Sequence, residues 1–129
     1  MNGKLLLDTN IIIALFNGEI SVLKKITEAT DIFISCTALG ELYYVAYKSG
    51  QTDKNLEKIN HFASIISLLN CDEHTAREYG IIKNSLRKKG NPIPENDIWI
   101  ASIAKQYNLT LVTRDNHFIE IEELKWEIW

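Results

Sequence analysis

Short apolar runs alternate with stretches of helical period along this chain, and that alternation constrains its fold more than any other feature. KLLL at residues 4–7 reads as a buried strand, ended abruptly by Asp8. DIFIS at 31–35, rich in β-branched and aromatic residues, reads as a second strand. Residues 68–71 and LTLVT at 109–113 supply a third and a fourth, and the tail IEELKWEIW a terminal one. Between them, residues 9–16, 21–29, 38–48, 52–66, 73–89 and 97–107 carry helical spacing of apolar side chains. The punctuation agrees with this division. Asn17-Gly18 and Ser49-Gly50 stop helices, Thr37 is a candidate N-cap, Asp72 caps the 73–89 helix, and that helix ends in basic residues and Gly90. GNPIPEN at 90–96 reads as a loop.

Strands alternating with helices imply a mainly parallel sheet with helices on both faces. The expectation is therefore an α/β fold: a single three-layer α/β/α domain over residues 1–129, large enough to bury about two-thirds of its unfolded surface. No apolar stretch approaches the roughly 20 residues of a membrane span, and Asp8 and Asn10 interrupt the only run resembling a signal peptide. Cys36 and Cys71 are isolated in sequence, which fits a reducing compartment, two buried unreactive thiols and a cytoplasmic protein. A formal charge of −3 argues against a generic basic nucleic-acid binder. With four of the 17 acids held by a cation, however, 13 remain against 14 Lys and Arg, so charge placement matters more than the net value.

In a doubly wound sheet, ligands bind beyond the carboxyl ends of the strands. Asp8 follows the first strand directly, and Asp115 follows the fourth, two residues after Thr113. Two further acids interrupt helix patterns. Glu41 sits on the border of the apolar arc formed by Ala38, Leu39, Leu42, Val45 and Ala46. Asp97 has Ile100, Ala101 and Ala104 on its own face at i+3, i+4 and i+7. Three of the acids taken singly have a local explanation: a cap for Asp8, a dipole partner for Asp97, a turn for Asp115. Glu41 has none of these. Ionised carboxylates in apolar settings are costly unless paired, and four together repel one another. A hard divalent cation such as Mg2+ or Mn2+ accounts for all four at once, and it equips a site for phosphodiester hydrolysis.

The motifs LLLDTNIIIALF, SCTALGELYYVA and GNPIPENDIWIASIAKQYNLTLVTRDNHF, with the finish LKWEIW, together resemble a PIN-domain ribonuclease, in particular a VapC-type toxin of a toxin–antitoxin pair. They stand in the family's order and cover almost the whole chain. The resemblance implies a Mg2+- or Mn2+-dependent endoribonuclease whose acidic quartet falls on Asp8, Glu41, Asp97 and Asp115, with Asn10 and Thr113 as supporting groups. It also implies an RNA substrate, a cognate antitoxin and a homodimer formed through helices. Tyr43, Tyr44 and Tyr47, with the 52–66 helix, are candidate contact surfaces. Arg114 beside the site, and Lys83, Arg87, Lys88 and Lys89 at the basic helix end, are candidate phosphate contacts; a solvated helix terminus competes for the latter. His61, His74 and His117 share no metal-ligand spacing, and His117 is expected on a surface loop. The alternatives are a standalone PIN nuclease in RNA processing, a non-catalytic PIN binding module, or a phospho-acceptor signalling module. The last needs an acceptor Asp after a middle strand, where DIFISC has none.

Overall fold

In a computed structural model, which describes residues 3–129, the strands β1 (Lys4–Leu7), β2 (Asp31–Ser35), β3 (Ser67–Leu69), β4 (Thr110–Thr113) and β5 (Trp126–Ile128) form one all-parallel sheet. Their spatial order is β3-β2-β1-β4-β5. Leu6 and Leu7 of β1 and Leu111 and Val112 of β4 are fully buried, as central strands covered on both faces require. The helices are α1 (Thr9–Phe16), α2 (Ile20–Glu28), α3 (Cys36–Tyr47), α4 (Thr52–Ile65), α5 (Glu73–Lys89) and α6 (Glu95–Gln106). Ile11 and Ile12 of α1 and Ile100 and Ile103 of α6 complete the core. Among the described residues, no helix is long and apolar enough to cross a membrane.

The strand order places the site. From β1 the chain winds outward through β2 to β3, then returns to pair β4 with β1 on its other side. Right-handed crossovers in opposite directions put helices on opposite faces. The crevice between the carboxyl ends of β1 and β4 is thus the switch point where such sheets bind ligands. Asp8 ends β1, with its backbone N–H donating to Val112 O at 2.9 Å.

Several local expectations need correction. Ser35, not Thr37, caps α3: its Oγ accepts from Ala38 N at 3.1 Å, because β2 passes into α3 without a loop. α6 starts at Glu95, two residues early, with Pro94 as its N-cap residue, so Asp97 lies inside its first turn rather than at its mouth. The buried stripe of α3 is narrower than the arc drawn from sequence: Ala38, Leu42 and Ala46 are buried, whereas Val45 is 40% exposed. The segment after β4 forms an unforeseen 3-10 turn, Asn116–Glu120, anchored by the fully buried Phe118. The cysteines are not buried: Cys36 is half-buried and Cys71 exposed, and both are free. Asp72 and Gly90 end α5 as expected, the first through a reciprocal capping box with Thr75 and the second at φ +71°.

Candidate active site

All four acids converge on the carboxyl edge of β1 and β4, each delivered by a different element. Asp8, 3% exposed, is the innermost. One of its oxygens accepts from Thr9 N at 2.8 Å and the other from Thr113 Oγ1 at 2.7 Å. Burial pushes its pKa up to about 6 against those two bonds, and the charges of Asp97 and Glu41 push the same way. Asp97, half-buried, is also raised: burial dominates, His117 opposes it, and Asp115 and Glu41 add to it. These mutual repulsions place the carboxylates in one electrostatic cluster.

The cluster has an internal frame. Thr113 Oγ1 accepts from Asp115 N at 3.0 Å while donating to Asp8, so one hydroxyl ties both strand-end acids. Asn10 Nδ2 donates to Asp115 Oδ2 at 3.3 Å, and Asn10 Oδ1 accepts from Arg114 N at 3.2 Å. Glu41 accepts from Thr9 Oγ1 at 2.5 Å and from Asn96 Nδ2 at 3.3 Å. Thr9, Asn96 and His117 are the members that sequence reasoning missed. Thr9 and Asn96 adjoin the acids Asp8 and Asp97, a hint that capping and dipole roles had absorbed. His117 corrects the surface-loop expectation: its Nε2 lies 2.6 Å from Asp97 Oδ2, on the 3-10 turn that the buried Phe118 anchors.

A divalent cation fits this arrangement. The donors are mainly carboxylate oxygens, the choice of hard cations. One oxygen each of Asp97 and Asp115 and one ring nitrogen of His117 lie within 4.8 Å of one another. Among the described residues, no Lys or Arg is bonded to any of the four acids. Arg114, the nearest cation in sequence, is instead forked onto Glu19 at 2.8 and 3.0 Å. Thr113→Val should weaken divalent-cation binding about 10- to 100-fold, because the hydroxyl orienting Asp8 and Asp115 is lost. Calorimetric titration checks this, and an unchanged affinity would remove Thr113 from the frame.

The basic candidates separate. Lys83 is paired with Glu95 at 2.9 Å, and Lys89 is held by Glu120 O at 2.9 Å and by Glu122 at 3.2 Å. Those bonds fasten the basic end of α5 to the start of α6 and to the 3-10 turn, the two elements that carry Asp97 and His117. Arg87 and Lys88 remain exposed there. Tyr44 and Tyr47 are each 66% exposed, whereas Tyr43 is half-buried and donates to Asn60 Oδ1 at 2.6 Å.

Residues 5–124 match the PIN domain family. The chain is 34% identical to "Ribonuclease VapC2" of Haemophilus influenzae and 34% identical to the "tRNA(fMet)-specific endonuclease VapC" of Shigella flexneri, each comparison covering 98% of both chains. Its fold superposes with a TM-score of 0.92 and 31% identity on VapBC2 from Rickettsia felis, solved bound to a DNA fragment from its promoter; the match covers 98% of this chain and 99% of the other.

Proposed function

The chain belongs to the PIN-domain family, and from that membership we propose that it acts as one domain over residues 1–129, a metal-dependent endoribonuclease that is the toxin of a toxin–antitoxin pair. The observation that carries this reading is the meeting of Asp8, Glu41, Asp97 and Asp115 at the β1/β4 switch point with, among the described residues, no Lys or Arg bonded to any of them. A scaffold gains nothing from such a cluster. Curated relatives named as VapC ribonucleases support the RNA substrate, and structural neighbours that are VapBC complexes support a cognate antitoxin. Homodimer formation would use the exposed Tyr44 and Tyr47 of α3 with α4, and the protein would work in the cytoplasm.

Asp8, Glu41, Asp97 and Asp115 would hold Mg2+ or Mn2+. When bound, the cation supplies charge neutralisation, a lowered pKa for water, and stabilisation of charge developing on the phosphoryl oxygens. The chain's own part is orientation. Thr9 and Thr113 fix both oxygens of Asp8, Thr9 and Asn96 fix Glu41, His117 fixes Asp97, and Asn10 fixes Asp115. No carboxylate has to reorganise when the RNA phosphodiester arrives, which is how preorganised polar groups lower a barrier. Arg87 and Lys88, and Arg114 once released from Glu19, would supply contacts to the phosphates flanking the scissile bond.

The test is sequencing of RNA 5′ ends after induced expression of the wild type and of Asp8→Asn. The expected result is a small set of new ends, found only with the wild type and reproduced by the purified protein with Mg2+. Identical ends for both proteins, or none for either, would leave a non-catalytic PIN module in place of the nuclease.

A further inference from the structure

We propose that the groove between the end of α5 and the start of α6 is a nucleobase subsite, holding one base of the RNA strand that runs into the acidic site. The inference rests on the nuclease reading and adds a place where the substrate is gripped. The groove has a volume of about 390 Å³, within the range of sites that take small planar ligands. Leu86 and Ile98, both buried, line it with the half-buried Ile93 and with Pro92. Arg87 and the Lys83–Glu95 pair also border it.

Three features favour a nucleotide as the occupant. The first is charge. The chain has three arginines; Arg77 is paired with Glu73 and Arg114 with Glu19, whereas among the described residues Arg87 has no side-chain bond or ion pair. An unpaired guanidinium beside an apolar floor matches a ligand that is flat and apolar at one end and anionic at the other. The second is continuity with the site. Glu95 borders the groove, the next residue, Asn96, bonds Glu41, and the residue after that is Asp97. Groove and acids therefore border the same first turn of α6 from faces about 200° apart, so a strand passing from one to the other crosses the N-terminus of that helix. The third is the absence of a peptide-reading edge. The walls are two helices and a tight turn in which the Gly90 and Asn91 N–H groups are already bonded to Arg87 O and Leu86 O. Recognition there must go through side-chain faces, which suits stacking on a base rather than pairing with an extended peptide.

The experiment uses the full-length Asp8→Asn protein, which should bind RNA without cutting it. Its affinity for a short fluorescein-labelled oligouridylate is measured by anisotropy across a salt series. The same measurement is made on the same chain with one abasic position moved stepwise along it. The expected result is that an abasic site at one position weakens binding about 10-fold while the others change little. Adding Arg87→Glu should weaken binding by a further factor of about 10, lower the salt slope by about one, and erase the abasic effect. Arg87→Lys should restore the salt slope but not the abasic effect, an outcome that general charge loss or a folding defect does not produce. The proposal is overturned if Arg87→Glu binds the oligouridylate as tightly as the parent, or if every abasic position is equivalent. It is also overturned if Arg87→Glu abolishes binding of a polyglutamate peptide while sparing the RNA, which would make the groove a peptide site. A wild-type protein that cuts RNA while either Arg87 result fails would reject the subsite alone. A wild type that cuts nothing would reject the nuclease reading itself.

Discussion

Asp8→Asn should lower the rate of RNA cleavage by at least about 10²- to 10³-fold while leaving the fold intact. The size follows from what is removed. A bound divalent cation contributes several kcal/mol of charge stabilisation, and each 1.36 kcal/mol is about a factor of ten in rate. Asp8 is the most buried of the four acids and the one at the end of the central strand, so no neighbouring carboxylate can swing into its place. The fold should survive because asparagine keeps the shape and can still accept from Thr9 N. It also removes a carboxylate that burial holds at a pKa of about 6, so the variant should be no less stable than the wild type at neutral pH. The checks are single-turnover cleavage with saturating Mg2+ and thermal unfolding of both proteins. Activity within about threefold of wild type would remove Asp8 from the metal site.

The quartet was legible in the sequence because each acid breaks a local pattern that a chain encodes locally. Asp8 and Asp115 interrupt the exits of apolar strands. Asp97 shares a helix face with Ile100, Ala101 and Ala104, all fully buried. The parallel sheet was legible for the same reason, since its strands are continuous apolar runs. The frame around the acids was not. Thr113 meets Asp8 across 105 positions of the chain, Asn96 meets Glu41 across 55, and His117 meets Asp97 across 20. Those pairs exist only once the strand order has set β4 beside β1, and periodicity carries no information about them. Lys83 and Lys89 illustrate the converse. A basic helix end reads as a phosphate contact until the fold supplies Glu95, Glu120 and Glu122 as partners, which among the described residues leaves Arg87 and Lys88 without one. The cysteines were misread because both fall just past strand ends, where the side chain is no longer inside the sheet's cover.

In the absence of a divalent cation, the wild-type protein should lose stability as pH rises from about 4 to about 6, by up to about 3 kcal/mol. The sign follows from proton counting. Asp8 keeps its proton in the folded state up to a pKa of about 6, whereas the unfolded chain releases it in the ordinary aspartate range. Between those values the native state binds more protons than the unfolded state, so stability falls with pH. Asp97, raised mainly by burial, adds to the fall. The acids held low act oppositely and at lower pH. Asp72, lowered chiefly by its bond from Thr75 N, Glu19, lowered by Arg114, and Glu95, lowered by Tyr79 and Lys83, contribute stability that is present above the ordinary carboxylate range and lost below it. The two windows are therefore separable by denaturant titration across pH in EDTA. Asp8→Asn should flatten most of the slope between pH 4 and 6, and at pH 7 it should exceed the wild type by about 1–3 kcal/mol. Mg2+ at about 100 times its dissociation constant should return about 2.7 kcal/mol to the wild type at pH 7. It should return less at pH 4.5, where protons compete for the same oxygens. A slope that persists in Asp8→Asn would place the destabilising charge elsewhere. A slope that disappears with the carboxylate and is repaid by Mg2+ would identify the destabilisation with the site itself, four acids kept together at a cost to the fold that only a cation offsets.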